Sequence, residues 1–465
     1  MKMVKMARDR AYLAADLFVP RDLIVEEAIR ARLTFGVGDD EEVLARTHPF
    51  HLEVPRNAFD LEDLGIPWVD LRPRTFRKIG LRPKPSFSLR PEQMDAEAAL
   101  TAWGRDAVLN LACGRGKTVL AWNEAAKAGG PVLFLAPQGA HVENALDELR
   151  TFFDFSGSIG RMMDGKLEWD RDLVVGTVQS VANAVLRGRL PPEFHHHFAL
   201  TIYDEAHHMA AGWFRIAGNV SQGRRLGLTA EKERRDAKEG IFFSHLGQIA
   251  YSDTEPDLVP DVIVIPTGVV LAAEEATHTR DKTGETHVGK LRKVLGTLAR
   301  RNDVILEHLR ADVAAGRTLY VVTHSPDHAR LLHTFFPWAG LILEDSPHRQ
   351  RLIELRKSKM VIVTTGIGAE SYNRKDLDCV HLCTPPGAKD GVATQFNQCA
   401  GRALRGLEGK PTPLVKIYDD EDVELCHGLV MSIVKYCHQR GWPVTWLNST
   451  QRTGGTRVQA RAPRA

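Results

Sequence analysis

Two sets of short apolar runs alternate with helical patterns along this chain. The first set lies between residues 107 and 230 and reads AVLNLA, PVLFLAP, LVVGT, FALTIYDE and RLGLTA. The second set begins at residue 318 and reads TLYVVTHS, MVIVTTG, CVHLCTP and LVKIYD. Such runs, alternating with helices, are typical of a parallel sheet whose crossover helices cover both faces. The sequence therefore predicts an α/β protein with two tandem doubly wound parallel-sheet lobes.

The composition of the segments outside the two sets of apolar runs predicts the domain boundaries. Turn-forming residues are frequent between the two sets, and a Pro-rich stretch, LRPRTFRKIGLRPKPSF, precedes the first. The last fifteen residues contain four arginines and no acid. We expect five parts: a small N-terminal α+β domain over 1–85 that is a candidate DNA-binding module, a first lobe over 86–240, an inter-lobe connection over 241–300, a second lobe over 301–440, and a basic tail over 441–465.

Composition narrows the classes of function. The 465 residues carry 61 Lys and Arg against 59 Asp and Glu, a net charge of +2, so any nucleic-acid surface must be a local patch. Six cysteines without a CxxC pair indicate a reducing compartment. The chain has no apolar core of signal-peptide type and no run of roughly 18 apolar residues. We expect a cytoplasmic protein without a membrane span, in a prokaryotic or phage-infected cell, and a monomer.

The segment NLACGRGKT, Asn110 to Thr118, follows a predicted strand and opens a predicted helix. This is the context that a phosphate-binding loop requires, because glycines let backbone amides face the phosphates. Lys117 is then expected to neutralise the outer phosphates and Thr118 to ligate Mg²⁺. The match is incomplete, since Leu111 stands where the full motif GxxxxGK[ST] has its first glycine.

A second element supports a nucleotide site. The run TIYDEAHH ends a predicted strand with Asp204 and Glu205, at the edge where α/β sheets place their ligands. Asp204 is expected to hold Mg²⁺, and Glu205 to act as general base on the attacking water. Upstream, Gln93 in SLRPEQ has an amide that could donate to and accept from an adenine edge.

Taken in order, these segments resemble the superfamily 2 helicases and translocases over roughly residues 86–420. The form LACGRGKT is most similar to the XPB-like and UvsW-like branch, whose members act on duplex or branched DNA. The matching blocks are RPEQ (90–93), CGRGKT (113–118), FLAP (134–137), GTVQS (176–180), DEAH (204–207), GLTA (227–230), VVTHS (321–325), TTGIGAESYN (364–373) and QCAGRALR (398–405).

The resemblance implies two RecA-like lobes that bind ATP and Mg²⁺. By their positions in the matching blocks, it implies catalytic roles for Lys117, Asp204, Glu205, Gln398, Arg402 and Arg405; nucleotide contacts by Arg90, Gln93, Cys113, Gly114, Arg115, Gly116, Lys117, Thr118 and Asn373; nucleic-acid contacts by Thr177, Gln179, Thr323 and Thr364; and coupling through Thr229 and Ala230. The spacing of Gln398, Arg402 and Arg405 predicts one helical face.

Two blocks depart from the pattern of relatives. Glu231 and Lys232 follow Thr229 and Ala230 where many relatives have TATP, and Ser371 and Asn373 replace a GxD arrangement. The first change puts in question the coupling between ATP hydrolysis and strand movement that this block provides in relatives. The second weakens the contact with the ribose of ATP that the resemblance implies.

The function we expect is an ATP-dependent DNA helicase or translocase that remodels forked or branched DNA in replication, recombination or repair. Two alternatives stay open: an RNA-dependent ATPase, and a nucleotide-gated DNA clamp without efficient turnover. Cys379, His381 and Cys383 alternate along a predicted buried strand, so we expect them to pack in a core and not to bind metal.

Overall fold

The computed structural model of the chain divides into two compact units, Met1–Glu255 and Pro256–Ala465. We describe each by itself. The structure describes residues 6–36, 41–112, 114–206, 211–230, 239–255, 258–343, 346, 354, 357–365, 374–385, 392–407 and 409–447.

The first unit contains sixteen strands and eight α-helices among the residues described. Its strands are β1 Ala11–Leu13, β2 Asp16–Pro20, β3 Thr34–Phe35, β4 Glu42–Val43, β5 Arg46–Thr47, β6 His51–Pro55, β7 Trp68–Asp70, β8 Leu81–Pro83, β9 Ala107–Leu111, β10 Val132–Ala136, β11 Phe153–Phe155, β12 Ile159–Met162, β13 Leu173–Thr177, β14 Leu200–Tyr203, β15 Arg224–Thr229 and β16 Ile249–Asp253. Its helices are α1 Glu26–Arg32, α2 Pro91–Trp103, α3 Lys117–Ala128, α4 Gly139–Phe152, α5 Val178–Leu186, α6 Phe194–His197, α7 Ala211–Ala217 and α8 Glu239–Leu246.

Seven of these strands form a parallel sheet in the order β12-β13-β10-β14-β15-β9-β16. The five apolar runs of the first set are its five central strands, which confirms that prediction. Apolar clusters cover both faces, as expected for strands that are apolar on both sides. Because the strands are parallel, their carboxyl ends meet at one edge: Ala136 pairs with Thr177, and Thr229 with Asn110.

The N-terminal residues form a mixed five-stranded sheet in the order β5-β6-β2-β1-β7, which agrees with the predicted α+β character. This sheet belongs to the same compact unit as the seven-stranded sheet. Its apolar core includes Ile241, from α8. The N-terminal region is therefore packed into the first lobe.

A buried ion pair fastens this region to the lobe. Arg56 follows β6, and its guanidinium donates to both carboxylate oxygens of Asp106 at 2.6 and 2.7 Å and to the Gly223 carbonyl at 2.6 Å. Both side chains are almost fully buried. Burial is the largest cause and raises the pKa of Asp106, but the charge and hydrogen bonds of Arg56, the charge of Arg225 and the Asn57 hydrogen bond together outweigh it, so the pKa lies below its ordinary value.

Removing Arg56 should therefore destabilise the protein. In the variant Arg56→Met, the Asp106 carboxylate stays buried without its cation, and we expect the free energy of unfolding to fall by about 3 to 5 kcal/mol. Urea unfolding measures this change. The control is Arg105→Met, because Arg105 is exposed and its ion pair with Asp60 spans 3.4 Å, so its loss should cost less than about 1 kcal/mol. Equal effects of the two substitutions would contradict the structural role of Arg56.

The second unit contains seven strands and six α-helices among the residues described. Its strands are β17 Asp261–Pro266, β18 Leu319–Thr323, β19 Gly340–Ile342, β20 Met360–Thr364, β21 Cys379–Leu382, β22 Leu414–Asp419 and β23 Val444–Trp446. Its helices are α9 Ala273–His278, α10 Val288–Thr297, α11 Ala299–Ala314, α12 Pro326–Phe335, α13 Val392–Ala400 and α14 Glu424–Gln439.

All seven strands form a second parallel sheet in the order β19-β20-β18-β21-β22-β17-β23. Apolar clusters cover it on both faces. The four apolar runs of the second set are β18, β20, β21 and β22, so the prediction of two tandem parallel-sheet lobes is confirmed.

The stretch expected as an inter-lobe connection, 241–300, instead contains parts of both units. Its strand β16 pairs with β9 in the first sheet, and β17 pairs with β22 in the second. Strand β23 likewise draws residues 444–446 of the expected tail into the second sheet. Residues 448–465 lie outside the described residues. No helix within the described ranges combines the length and apolar character needed to cross a membrane.

Candidate nucleotide site

The predicted phosphate loop joins β9 to α3 at the carboxyl edge of the first sheet. Gly114 and Gly116 have φ of 90° and 76°, a backbone conformation that other residues rarely adopt. Gly116 caps α3, which begins at Lys117. The first amides of α3 have no partner within the helix, and they point out of its N-terminus, where an anion is stabilised.

Arg90 and Gln93 brace this loop from the start of α2. Arg90 donates from Nη2 to the Gly114 carbonyl at 3.1 Å, and Gln93 donates from Nε2 to the Arg115 carbonyl at 3.1 Å. A Cβ at Gly116 would lie 2.1 Å from Gln93 Nε2 and would displace this amide, and the φ of 76° adds strain for any other residue. The Gln93 oxygen accepts from the Arg90 amide at 3.0 Å. Contact of Gln93 with adenine stays a prediction.

The two acids follow β14 in a tight turn beside this loop. Glu205 has φ of 45°, which is strained for a residue with a side chain. Its Oε1 lies 3.4 Å from Lys117 Nζ, and both side chains are largely buried. The structure thus joins residues that are 88 positions apart in the sequence.

Asp204 is buried next to this ion pair. Burial is the largest cause that raises its pKa to about 7, the charge of Glu205 adds to it, and Lys117 opposes it. Carboxylate and hydroxyl oxygens are suitable Mg²⁺ ligands. The Asp204 carboxylate and the Thr118 hydroxyl on the first turn of α3 therefore have the chemistry that Mg²⁺ requires, provided that Asp204 is ionised.

The raised pKa predicts a pH-dependent effect of Asp204→Asn. The folded protein holds the Asp204 proton up to about pH 7, whereas the unfolded chain releases it near pH 4, so burial of Asp204 costs more stability as pH rises. Asparagine removes this cost. We expect a stabilisation that is larger at pH 8 than at pH 5 by on the order of 2 kcal/mol, measured by urea unfolding. Asp154→Asn, at a position whose side chain is 45% exposed, serves as the control. A gain equal at both pH values would contradict the assignment.

Other predicted residues of the first unit lie along the same sheet edge. Thr229 ends β15 fully buried, and Ala230 follows it. Thr177 ends β13, and its hydroxyl caps α5 by accepting from the Ser180 amide at 3.3 Å. Gln179 is exposed on the first turn of α5. The sheet therefore brings the predicted phosphate loop, the acids and the predicted coupling residues Thr229 and Ala230 to one edge.

The remaining predicted residues belong to the second unit or lie outside the described residues. Thr323 and Thr364 end the neighbouring strands β18 and β20, face to face in register, and both are buried. Cys113 and Asn373 are not among the residues that the structure describes.

The prediction that Gln398, Arg402 and Arg405 share one helical face was wrong. Gln398 lies on α13, but this helix ends at Ala400. The amides of Arg402 and Ala403 bond to carbonyls three residues back, as in a tightened last turn. The tightened turn allows the apolar side chains before and after it to be buried in the same core. These side chains belong to Cys399, Ala400, Ala403 and Leu404.

Sequence reasoning missed Asn110 and the contacts of Arg115. Asn110 is fully buried on β9, donates to Ser252 Oγ at 2.9 Å, and has no partner for its oxygen in the described part of the chain. Arg115 donates to the Glu255 carbonyl at 2.9 Å, which ties the loop to the end of the first unit. A polar residue inside the apolar run AVLNLA was the available signal for Asn110.

Cys379, His381 and Cys383 are buried in the second unit, as expected. Possible ligand atoms of Asp312, Cys379 and His381 lie within 4.8 Å of one another. However, both His381 nitrogens have partners, Asp312 at 2.8 Å and the Tyr418 hydroxyl at 2.9 Å. Lys416 Nζ lies 2.6 Å from the same Asp312 oxygen and already neutralises its charge. This polar cluster is satisfied within the core.

Sequence comparison places relatives along most of the chain. Residues 86–234 match the family described as "Type III restriction enzyme, res subunit". A protein of Kineococcus radiotolerans named "DNA 3'-5' helicase XPB" is 31% identical over 191 residues, 40% of this chain and 33% of the relative. "Probable helicase D10" of Escherichia phage T5 is 25% identical over 388 residues and 78% of each chain. The chain spans about a third of the length of the XPB relatives.

Structural comparison supports the fold. The S. cerevisiae protein Dbp5, in its structure bound to RNA and ADP BeF3, is similar over 77% of this chain and 94% of its own, with a TM-score of 0.53 and 13% identity. This likeness concerns the fold alone, and the fold is that of two RecA-like lobes. The chain is thus similar in sequence to XPB-like and phage helicases, and its ordered motifs resemble those of the superfamily 2 helicases.

Proposed function

We propose that this protein is an ATP-dependent DNA helicase or translocase that remodels forked or branched DNA in replication, recombination or repair. The observation that carries the proposal is the contact of Lys117 with Glu205, beside the buried Asp204, at the N-terminus of α3. A phosphate-binding lysine next to a candidate general base is the arrangement that hydrolysis of a nucleoside triphosphate requires.

In this proposal, residues of the first unit bind ATP and activate the attacking water. The amides of residues 114–118 and the Lys117 ammonium bind the phosphates of ATP. Thr118 and ionised Asp204 would hold Mg²⁺, which when bound would neutralise charge on the phosphoryl oxygens. When Lys117 turns to the phosphates, Glu205 loses its cation and becomes available to accept a proton from the attacking water.

Residues of the second unit complete the reaction in this proposal. Arg402 and Arg405 stabilise the charge that develops on the transferring phosphoryl group, as arginines do in phosphoryl transfer. Gln398 on α13 and Asn373 add nucleotide contacts. Thr229 and Ala230 transmit the state of the nucleotide, because β15 lies beside β9, which carries the phosphate loop.

The nucleic acid is gripped mainly through phosphates by hydroxyl and amide groups. Thr177, Gln179, Thr323 and Thr364 are our candidates, since each lies at or just beyond the carboxyl end of a parallel strand. DNA is favoured over RNA because the XPB relatives are named DNA helicases. A net charge of +2 is compatible with this role if the positive potential is local.

Binding to DNA and its salt dependence test this proposal. We expect ATP hydrolysis to rise with added DNA, and the DNA concentration for half-maximal stimulation to increase steeply with salt as counterions are released. A clamp without turnover would bind DNA with the same salt dependence but hydrolyse no ATP. An affinity unchanged between low and physiological ionic strength would contradict both.

A further inference from the structure

A basic segment crosses the first unit on the edge away from the nucleotide loop. We call residues 71–84 the basic strap. The strap has no acidic residue and contains Arg72, Arg74, Arg77, Lys78, Arg82 and Lys84. Three prolines favour an extended backbone: Pro73 near the start of the strap, Pro83 near its end and Pro85 just beyond it.

Contacts trace the path of the strap along the amino ends of the parallel strands. The charge of Asp106, just before β9, acts on Arg72. An added Cβ on Gly130, just before β10, would lie 2.7 Å from Phe76 Cβ. Arg77 lies 2.6 Å from Asp172, just before β13. The strap therefore runs along the edge opposite to the phosphate loop, at a distance of about one strand, roughly 17 Å.

Three of the six basic side chains hold the strap in place through ion pairs and hydrogen bonds within the first unit. Arg72 donates twice to Asp70, at 2.9 Å each, and Arg77 pairs with Asp172. Lys84 donates to the carbonyls of Arg150 and Thr151, which are unpaired groups in the last turn of α4.

The other three project to solvent. Arg74 and Lys78 are exposed and form no ion pair within 4 Å among the described residues. Arg82 has a side chain that is 80% exposed, and its one carboxylate neighbour, Asp154, lies at 3.8 Å. Six basic side chains thus face Asp70, Asp172 and Asp154, while Asp106, which also acts on Arg72, is already paired with Arg56. This edge is therefore locally positive although the whole chain is nearly neutral.

We propose that the basic strap binds the sugar–phosphate backbone of duplex DNA through Arg74, Lys78 and Arg82, as a second contact separate from the candidates at the carboxyl ends of the strands. This inference rests on the proposed function for its choice of nucleic acid. In an extended chain, Arg74 and Arg82 lie about 25 Å apart, which is most of one turn of a duplex. A duplex arm is rigid and presents phosphates along such a length in a fixed arrangement, whereas a short single strand is flexible and would have to be ordered first.

The test compares two triple variants of the full chain. The strap variant is Arg74→Gln, Lys78→Gln and Arg82→Gln. The control is Lys282→Gln, Arg310→Gln and Lys435→Gln, which removes the same charge from exposed positions of the second unit. Dissociation constants are measured without ATP for a 40-base-pair duplex and an 8-nucleotide single strand at several salt concentrations, with thermal unfolding as a check on folding.

The strap variant should bind the duplex about tenfold or more weakly than wild type near physiological salt, and its log–log salt slope should fall by about 2 to 3. Its affinity for the short strand, its unstimulated ATP hydrolysis and its KM for ATP should match wild type, and the control should keep wild-type duplex binding. Wild-type affinity and slope in the strap variant would overturn the inference, as would equal losses in the control. Because binding is measured without ATP, a lack of DNA-stimulated hydrolysis in the wild type refutes the motor and not the strap.

Discussion

The variant Arg405→Ala should lose nearly all ATP turnover while it still binds ATP within a few fold of wild type. Arg405 follows α13 in the turn that also carries the buried Arg402. An arginine that stabilises the charge of the transferring phosphoryl group contributes about a thousandfold to a hundred-thousandfold in rate. Steady-state hydrolysis and fluorescent-ATP binding measure the two quantities separately.

Arg317→Ala is the matched control for Arg405. Arg317 is also a partly buried arginine of the second unit, and its ion pair with Asp378 spans 4.0 Å. It has no role in the proposed mechanism, so its loss should leave turnover near wild type. Wild-type turnover in Arg405→Ala would refute the role of the second unit in hydrolysis, even if the first unit binds ATP as proposed.

The variant Glu205→Gln should bind ATP normally and lose about a hundredfold to ten-thousandfold in turnover. Glutamine keeps the shape of the side chain but cannot accept a proton from water, and general base catalysis contributes on this order. The substitution also removes a charge that raises the pKa of Asp204. Asp204 should then ionise at lower pH, so ATP binding with Mg²⁺ should persist to more acidic conditions than in wild type.

Glu143→Gln provides the control for Glu205. Glu143 is a partly buried glutamate on α4 that pairs with Arg161, as Glu205 pairs with Lys117. Its substitution should change turnover by less than a few fold. Turnover in Glu205→Gln equal to that of the control would mean that another group activates the water.

The central strands of both sheets were predictable because their residues are apolar on both faces. Runs such as LVVGT and LVKIYD correspond to β13 and β22 residue for residue. Strands near the sheet edges were missed because they lack such apolar runs. Strand β12, IGRM, alternates exposed and buried residues, and β19 has only three residues. Strand β17 carries a clear apolar run, DVIVIP, but lies among turn formers that indicated a connection.

The meeting of the residues in the candidate nucleotide site was predictable from chemistry and topology together. A strand–loop–helix segment and an acidic pair after another strand must meet when the strands are parallel, and Lys117 and Glu205 do so. Contacts that depend on packing gave no local signal. Neither the pairing of Arg56 with Asp106 nor the end of α13 at Ala400 follows from residue spacing, because both are decided by which side chains are buried.

ATP hydrolysis in the presence of single-stranded DNA, duplex DNA, forked DNA and single-stranded RNA, each added in turn, tests the central claim most directly. Lys117→Ala is the blank, because Lys117 is the cation of the phosphate loop. We expect strong stimulation by forked or duplex DNA and none in Lys117→Ala. Preferential stimulation by RNA would contradict the choice of DNA, and ATP binding without turnover on any of the four nucleic acids would contradict a motor.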